Sequence, residues 1–527
     1  MALLKSIITV GGFTIISRIT GFVRDVLIAR FLGASTVADA FFIALKLPNL
    51  FRSLFAEGAF NSAFIPLFTE ELEKNGHDAA KAFAKEIFSA LLYILALFTA
   101  VMELIMPLAV MLIAPGFLEV PNKVELTSEM CRITFPFLLL VSLNCMQGGI
   151  LNSLGKFAAP AFTSTILNLS MIAALLWLTP FLSGADASAF ALCWGVFAAG
   201  FIQFFFLLYH LKRQDMILHL VSPFKVFFKM APQTKTLLKR ILPATVGAGI
   251  YQINLLIDTF FVSFLASGAV SWIYYANRLF QLPVGVLGAA IGTALLPMLT
   301  RHIKVGSIGK ERATLSRALE FAVFTSFPAA VGLIVLDRVI IGALFEYGEF
   351  THEETLRTAS ALSAFALGLP AYVISKSLLP CFFARGDTKS PVRVAAISLI
   401  INVILCYTFI RYWGHTGIAL ATSVTAWINL YQYYFMLKRR DFLHVDYKFC
   451  YRVPRILIAS LVMGIGVQVC FYASEIIVPG WVEMSGYIRI CILSSLICAG
   501  ILIFCLATVI TKAFKIKDLK KILSGQT

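Results

Sequence analysis

Arginine residues lie inside stretches of this sequence that are otherwise apolar. Arg18 and Arg24 fall within an apolar run over residues 6–31, and Arg52 falls within a second run over 37–69. A charged side chain at the centre of a bilayer costs at least about 3 kcal/mol, so such residues usually face a hydrated cavity. The guanidinium group stays charged and binds phosphate oxygens through two parallel hydrogen bonds. The arginines therefore predict a membrane cavity for an anionic, phosphorylated cargo.

Other ionisable side chains accompany these arginines in the apolar runs. The residues that need an explanation are Arg18, Arg24, Lys46, Arg52 and Arg278, with the acids Asp25, Asp39 and Glu57 near the first four. The cations outnumber the acids, and an unpaired positive excess in hydrocarbon needs water or an anion. For single residues the alternative is an internal ion pair, such as Arg24 with Asp39 or Arg52 with Glu57. Pro48 lies in the same stretch and predicts a kink there, because proline removes a backbone hydrogen bond.

The elements that position these residues are predicted to be membrane helices. The chain has 527 residues, of which 59% are hydrophobic and 14% are charged, whereas soluble domains carry about 25% charged residues. Apolar runs long enough to cross a hydrocarbon core of about 30 Å recur along the whole sequence. They cover residues 6–31, 37–69, 86–114, 131–152, 160–181, 187–211, 241–266, 269–299, 318–345, 358–383, 392–412, 416–437, 453–474 and 485–511. The sequence predicts an all-α integral membrane protein with 14 transmembrane helices.

The distribution of charge predicts the topology. The net charge is +16, and most basic residues fall in alternate loops and at both termini. The positive-inside rule places those loops and both termini in the cytoplasm, where they are expected to contact anionic membrane lipids. This placement argues against nucleic acid as a partner. The ten cysteines show no CxxC pairing and the seven histidines show no ligand spacing, so no metal site is predicted.

A weak internal repeat divides the chain. Pro66 and Pro297 lie in similar short motifs 231 positions apart, and the same offset relates Gly155 to Gly386 and Pro160 to Pro391. This favours two parallel six-helix repeats with a binding site between them. We predict an N-terminal lobe over 1–212, a basic cytoplasmic linker over 213–240, a C-terminal lobe over 241–440, and appended helices 13 and 14 with a cytoplasmic tail over 441–527.

Several local motifs resemble those of one known family. They are SRITGFVRD from Ser17, ADAFF from Ala38, KLPNLFR from Lys46, FAEGAF from Phe55 and SGAVSWIYY from Ser267. Together they resemble the MurJ (MviN) family of lipid II flippases, within the multidrug/oligosaccharidyl-lipid/polysaccharide exporter superfamily. The resemblance covers essentially the full chain. It implies two six-helix bundles plus two extra helices, in a multi-pass protein of the bacterial cytoplasmic (inner) membrane.

The resemblance also implies a substrate and roles for individual residues. The substrate would be undecaprenyl-pyrophosphate-linked disaccharide-pentapeptide, lipid II, moved from the inner to the outer leaflet by alternating access. The partners would be lipid II, membrane lipids and other cell-wall synthesis proteins. The substrate-binding residues would be Arg18, Arg24, Arg52, Arg278, Lys46, Ser17 and Ser271. The gating and charge partners would be Asp25, Asp39 and Glu57. Asp39 and Glu57 would orient the arginines or exchange partners as the cavity switches sides.

The sequence departs from this family at positions that bear on gating and coupling. Asn277 and Gln281 stand where related chains carry acids, so the cavity should be more positive. In some relatives an Asp, an Asn, a further acid and a Thr bind sodium. Asp258, Asn402 and Thr422 match three of these positions, but the remaining acid is replaced by Cys406, a poor ligand for a hard cation. We expect no cofactor and weak or absent sodium dependence, with membrane potential as the alternative driving force.

Three other functions are the alternatives to this one. A flippase for another polyprenyl-pyrophosphate-linked oligosaccharide would use the same cations, whereas an exporter of cationic drugs would favour an acidic cavity. A membrane enzyme that acts on polyprenyl phosphates would need a nucleophile, a base or a carboxylate cluster near an interface. The scattered acids and histidines argue against an enzyme.

Overall fold

The computed structural model describes residues 2–52, 59–228, 232–443, 445–481, 484 and 486–513. Within these ranges the regular structure is helical and contains no β-strand, which confirms the all-α prediction. The helices are α1 (Ala2–Leu32), α2 (Thr36–Arg52), α3 (Ala59–Leu104), α4 (Met106–Ile113), α5 (Lys123–Thr134), α6 (Phe137–Ser153), α7 (Ala158–Ala173), α8 (Ala187–Lys212), α9 (Pro223–Phe228), α10 (Pro232–Ser263), α11 (Ala269–Lys304), α12 (Ile308–Val335), α13 (Asp337–Phe345), α14 (His352–Phe383), α15 (Lys389–Arg439), α16 (Tyr447–Ile477) and α17 (Gly486–Ile510).

Many of these helices can cross a membrane. Within the described ranges, nine helical stretches are long and apolar enough to do so. One of them, α15, contains two of the predicted spans and is interrupted at Gly414, whose φ of 53° and ψ of −128° are not helical. Such a positive φ favours glycine because a side chain would clash with the backbone. The protein is therefore a multi-pass membrane protein, and the total of 14 spans stays a prediction.

The chain forms two compact units, Met1–Ser271 and Trp272–Thr527. The first contains α1 to α10 and the first residues of α11. The second contains the rest of α11 and all later helices. The predicted lobes were inferred from a repeat in the sequence. A division into two compact units does not test that repeat, so the boundaries of the lobes, the linker and the tail stay a prediction.

In the first unit, α2 continues as a helix through the predicted kink site at Pro48. Because proline has no N–H group, the carbonyl oxygen of Ala44 loses its usual partner one turn earlier. The buried hydroxyl of Thr134 donates to this oxygen at 2.7 Å. A side chain of α5 thus replaces the missing backbone bond, which lets α2 carry polar residues on to Arg52.

In the second unit, α14 and α15 pack very closely. The hydroxyl of Ser423 donates to the carbonyl oxygen of Ala364 at 2.6 Å, and a Cβ atom at Gly368 would lie 2.6 Å from that hydroxyl oxygen. The predicted appended pair, α16 and α17, pack against each other, and α16 also packs on α12.

The short connection between α14 and α15 is fixed by Asp387. Its carboxylate accepts hydrogen bonds from the backbone N–H of Ser390 at 3.0 Å and from the Ser390 hydroxyl at 2.6 Å. Arg440 pairs with the same carboxylate. The pKa of Asp387 is held well below its usual value. The hydrogen bonds from Ser390 have the largest effect, and the interaction with Arg440 has a smaller one.

Candidate functional site

Arg24 lies on the inner side of α1, where it is buried within the first unit. Its Nη2 lies 2.6 Å from Asp25 Oδ1, and its Nη1 donates to Asn168 Oδ1 at 2.8 Å. The alternative pairing of Arg24 with Asp39 is therefore wrong. Adjacent residues on a helix do not normally face each other, but the long arginine side chain folds back onto its neighbour. Asp25 is thus a charge partner of Arg24.

Asp39 of α2 is fully buried and lies at the N-terminus of α11. Its carboxylate accepts hydrogen bonds from the backbone N–H groups of Gly268 at 2.8 Å and Ser271 at 3.0 Å. It also accepts from the Ser271 hydroxyl at 2.7 Å and from Lys123 Nζ at 2.9 Å. The first N–H groups of a helix lack intrahelical partners and carry partial positive charge, so a carboxylate is stabilised there.

This arrangement corrects two expectations from the sequence. Asp39 does not orient an arginine in this conformation, because Lys123 and the first turn of α11 occupy its oxygens. Ser271 is not a donor on a cavity wall, because it is fully buried and its hydroxyl is used by Asp39.

Lys46 and Asp258 lie close together in the first unit. The Lys46 ammonium donates to the hydroxyl of Thr259 on α10, and the carboxylate of Asp258 attracts it electrostatically. Asp258 thus has a basic side chain as a neighbour.

Arg52 lines a cavity of about 320 Å³ inside the first unit. Asn49, one turn earlier on α2, lines the same cavity and donates to the carbonyl oxygen of Leu45 at 2.7 Å. The remaining walls come from α3, α6, α7 and α8. Arg52 therefore lies beside polar side chains. Glu57, its predicted partner, lies outside the described residues.

Arg278 of α11 belongs to the second unit and is held by Tyr274, one turn earlier on the same helix. Its Nε and Nη2 donate to the Tyr274 hydroxyl at 3.1 and 2.9 Å. The guanidinium carbon lies 5.0 Å from the centre of the tyrosine ring, within cation–π range. The orientation of the guanidinium group is therefore fixed by a neutral side chain.

The other predicted residues are placed as follows. Arg18 is exposed on α1, and Ser17 is partly exposed, with its carbonyl oxygen accepting from Asn168 at 2.9 Å. In the second unit, Asn402 Oδ1 accepts from Thr425 at 3.3 Å, whereas the Thr422 hydroxyl donates to the backbone of its own helix.

The sequence analysis missed several polar residues that the structure brings to these sites. They are Lys123, Asn144, Asn168, Gln203 and Tyr274. Lys123 appeared to be an ordinary loop residue. The three amides interrupt apolar runs, and polar side chains inside spans often hydrogen-bond across helices, so that signal was present.

Comparisons with known proteins identify the family. The family model for the lipid II flippase MurJ matches residues 28–491. The "Probable lipid II flippase MurJ" of Rhizobium tropici is 43% identical over 467 residues, which cover 88% of this chain and 86% of the relative. The solved structure described as "Lipid II flippase MurJ, inward closed conformation" has a TM-score of 0.79 at 27% identity and covers 95% of this chain and 98% of that chain.

A more distant structure shows that the fold is shared more widely. An inward-facing multidrug resistance MATE family transporter of the MOP superfamily has a TM-score of 0.64 at 15% identity, and the match covers 80% of this chain and 94% of that chain. The family model and the close relatives confirm the resemblance seen in the local motifs. The chain belongs to the MurJ family of lipid II flippases.

Proposed function

We propose that this protein moves lipid II from the inner to the outer leaflet of the bacterial cytoplasmic membrane by alternating access. Its family is one of flippases, so the protein is a transporter and not an enzyme. The observation that carries the choice of an anionic cargo is the set of permanent cations on α1, α2 and α11. A bare pyrophosphate cannot enter hydrocarbon without neutralisation.

Four arginines neutralise the pyrophosphate in this proposal: Arg18, Arg24, Arg52 and Arg278. Each guanidinium can give two parallel hydrogen bonds to phosphate oxygens, which a lysine ammonium cannot do. Arg278 is already oriented by Tyr274, and preorientation lowers the entropic cost of binding. Lys46 adds a fifth cation to the same function.

Complementation in cells tests these roles. Arg52→Ala and Arg278→Ala should each abolish rescue of cells depleted of their own lipid II flippase, and replacement by Lys should restore little. Arg455→Ala is the matched control, because the half-buried Arg455 of α16 packs on the exposed ring of Tyr451. Normal rescue by both alanine variants would contradict the cationic-cargo proposal. Loss of protein from the membrane, measured by immunoblot, would assign the arginines a structural role instead.

We also propose that the chain has 14 spans, with both termini in the cytoplasm. The basic loops and the acidic segment over residues 346–354 support this orientation. Single cysteines at Glu349 and Gly306 would be labelled in intact cells, in a background without the exposed thiols of Cys450, Cys491 and Cys498. Labelling is expected at position 349 and not at position 306. Labelling of position 306 from outside would overturn the topology.

Sodium coupling is proposed to be weak or absent. Cys406 is fully buried, with its sulfur 3.9 Å from Asn402 Oδ1. This position therefore offers a neutral thiol, whereas a hard cation prefers oxygen ligands. The membrane potential, worth about 2.3 kcal/mol per charge per 100 mV, is the alternative driving force. Flipping in vesicles at fixed potential should persist when choline replaces sodium. A collapse that Asp258→Ala reproduces would contradict this proposal.

The partners in this proposal are lipid II and the surrounding membrane lipids. Association with other cell-wall synthesis proteins stays a prediction from the resemblance.

A further inference from the structure

The cavity beside Arg52 has an unusual lining for the interior of a helical bundle. Its polar walls are formed by the side chains Asn49, Arg52, Asn61, Asn144, Asn152 and Gln203, with two hydroxyl residues of α7. Arg52 is the single cation among the lining residues that the structure describes, and none of them is acidic. The cavity therefore disfavours a cation and offers mainly neutral hydrogen-bonding groups.

Two of the amides are buried and connected to each other. Asn144 and Gln203 are 4% and 3% exposed. Asn144 Nδ2 donates to Gln203 Oε1 at 3.2 Å, and Gln203 Nε2 donates to the carbonyl oxygen of Thr163 at 2.8 Å. These bonds fix the orientation of both amides and join α6, α7 and α8.

Asn144 Oδ1 is the unexplained atom of this network. It is buried and accepts no hydrogen bond from any residue in the described ranges, and the same is true of Asn61 Oδ1. Buried acceptors without a donor are rare because their desolvation is not compensated. The cavity thus provides amide acceptors as well as donors, and a hydroxyl group can satisfy both.

We propose that this cavity binds the sugar ring that adjoins the pyrophosphate of the cargo. The inference rests on the proposed function, in which Arg52 contacts the pyrophosphate, and the same Arg52 lines the cavity. A sugar ring carries hydroxyl groups that donate and accept, which matches the amides. The volume of about 320 Å³ lies at the lower end of the range of about 300–1,000 Å³ for ligand pockets. It suits one ring and not the whole headgroup.

The competing interpretation is a hydrated cavity with no ligand. At about 30 Å³ per molecule, the volume would hold about ten waters. Water would also satisfy the amides, so hydrogen bonding alone does not separate the two cases. Dependence of binding on the sugar does separate them.

Binding to purified full-length protein in detergent, measured by native mass spectrometry, provides the test. The probes are undecaprenyl pyrophosphate and the same lipid bearing the disaccharide without the peptide. Wild type should bind the sugar-bearing lipid more tightly. Asn144→Leu should lower affinity for that lipid about tenfold, equivalent to about 1.4 kcal/mol, and leave undecaprenyl pyrophosphate unaffected. Ser164→Phe, which fills the cavity from α7, should have the same selective effect.

The matched control is Gln147→Leu. Gln147 is a buried amide three residues after Asn144 on α6, and it does not line the cavity. It should not change the preference for the sugar-bearing lipid. Equal weakening of both probes by Asn144→Leu would show a structural role and overturn the inference. An unchanged preference in both cavity variants would show a hydrated cavity and overturn it as well.

Failure of the proposed function has a different signature. Wild type that binds neither probe, or Arg278→Ala that binds both normally, would refute pyrophosphate recognition itself. Loss of sugar preference with retained pyrophosphate binding would leave the proposed function intact.

Discussion

Removal of the positive charge from the buried Lys123–Asp39 pair should destabilise the protein strongly. The Lys123 Nζ to Asp39 Oδ2 distance is 2.9 Å, and the side chains are 2% and 0% exposed. Lys123→Met keeps most of the side-chain volume but leaves a buried carboxylate without a countercharge. Removing one partner of a buried ion pair costs about 3–5 kcal/mol. We expect about 3 kcal/mol, because Gly268 and Ser271 still donate to the carboxylate.

Thermal unfolding of the purified protein in detergent measures this effect. A loss of 1 kcal/mol lowers the Tm of a domain of about 150–250 residues by about 2–4 °C, so the expected decrease is about 6–12 °C. Lys81→Met is the matched control, because Lys81 pairs at 3.3 Å with Asp215, whose side chain is 86% exposed. Exposed pairs contribute about 0–1 kcal/mol.

A double variant separates charge from packing. Asp39→Asn in the Lys123→Met background removes the unpaired charge, so it should recover most of the lost Tm. The reasoning would be refuted if Lys123→Met were no worse than Lys81→Met, or if the double variant were as unstable as the single one.

Three further predictions concern stability in the same assay. Thr134→Val removes the donor to the Ala44 carbonyl beside the helix proline and should cost about 1–3 kcal/mol; an unchanged Tm would mean that water replaces the hydroxyl. Gly368→Ala overpacks the contact between α14 and α15 and should cost about 1–3 kcal/mol, whereas Gly309→Ala, with no atom near the added Cβ, should not destabilise. Asp387→Asn should lower the Tm at neutral pH. The pKa of Asp387 is depressed in the folded state. Its contribution to the stability of the protein is therefore fully present above about pH 3.9, the pKa of Asp in an unfolded chain. That contribution is lost as the pH falls toward the folded pKa. The difference from wild type should therefore shrink in acid, and a constant difference would contradict the charge argument.

The sequence predicted the membrane fold and the cationic helices because both are local signals. An arginine inside an apolar run is conspicuous without any knowledge of its neighbours. The repeat then indicated two six-helix units, and the sequence motifs indicated the protein family that the chain resembles. The role of Lys123 could not be predicted, because its partner Asp39 lies 84 residues away and the two meet only after α2 and α5 pack. The family resemblance assigned Asp39 to the arginines, but in the structure the backbone N–H groups at the start of α11 bind its carboxylate, and no pattern of charged residues reveals that site.

The buried amides show a second limit of what sequence can predict. Asn144 and Gln203 stand in apolar runs and could have been singled out, since polar groups within spans require partners. Their hydrogen bond joins helices 59 residues apart in sequence, and the cavity between these helices depends on packing. Sequence can therefore show that such a residue needs a partner, but not whether the partner is a helix, water or a ligand.

Under the proposed function, Arg24 and Arg278 differ in the groups that a pyrophosphate would have to displace. Arg24 already has a charge-assisted pair with Asp25 and a hydrogen bond to Asn168, so a phosphate oxygen must compete there with a carboxylate. At Arg278 it competes with the neutral hydroxyl of Tyr274, and hydrogen bonds between ionised groups are about twice as strong as neutral ones. Under the proposed function, a phosphate oxygen would therefore have to replace the Asp25 carboxylate at Arg24 and the Tyr274 hydroxyl at Arg278.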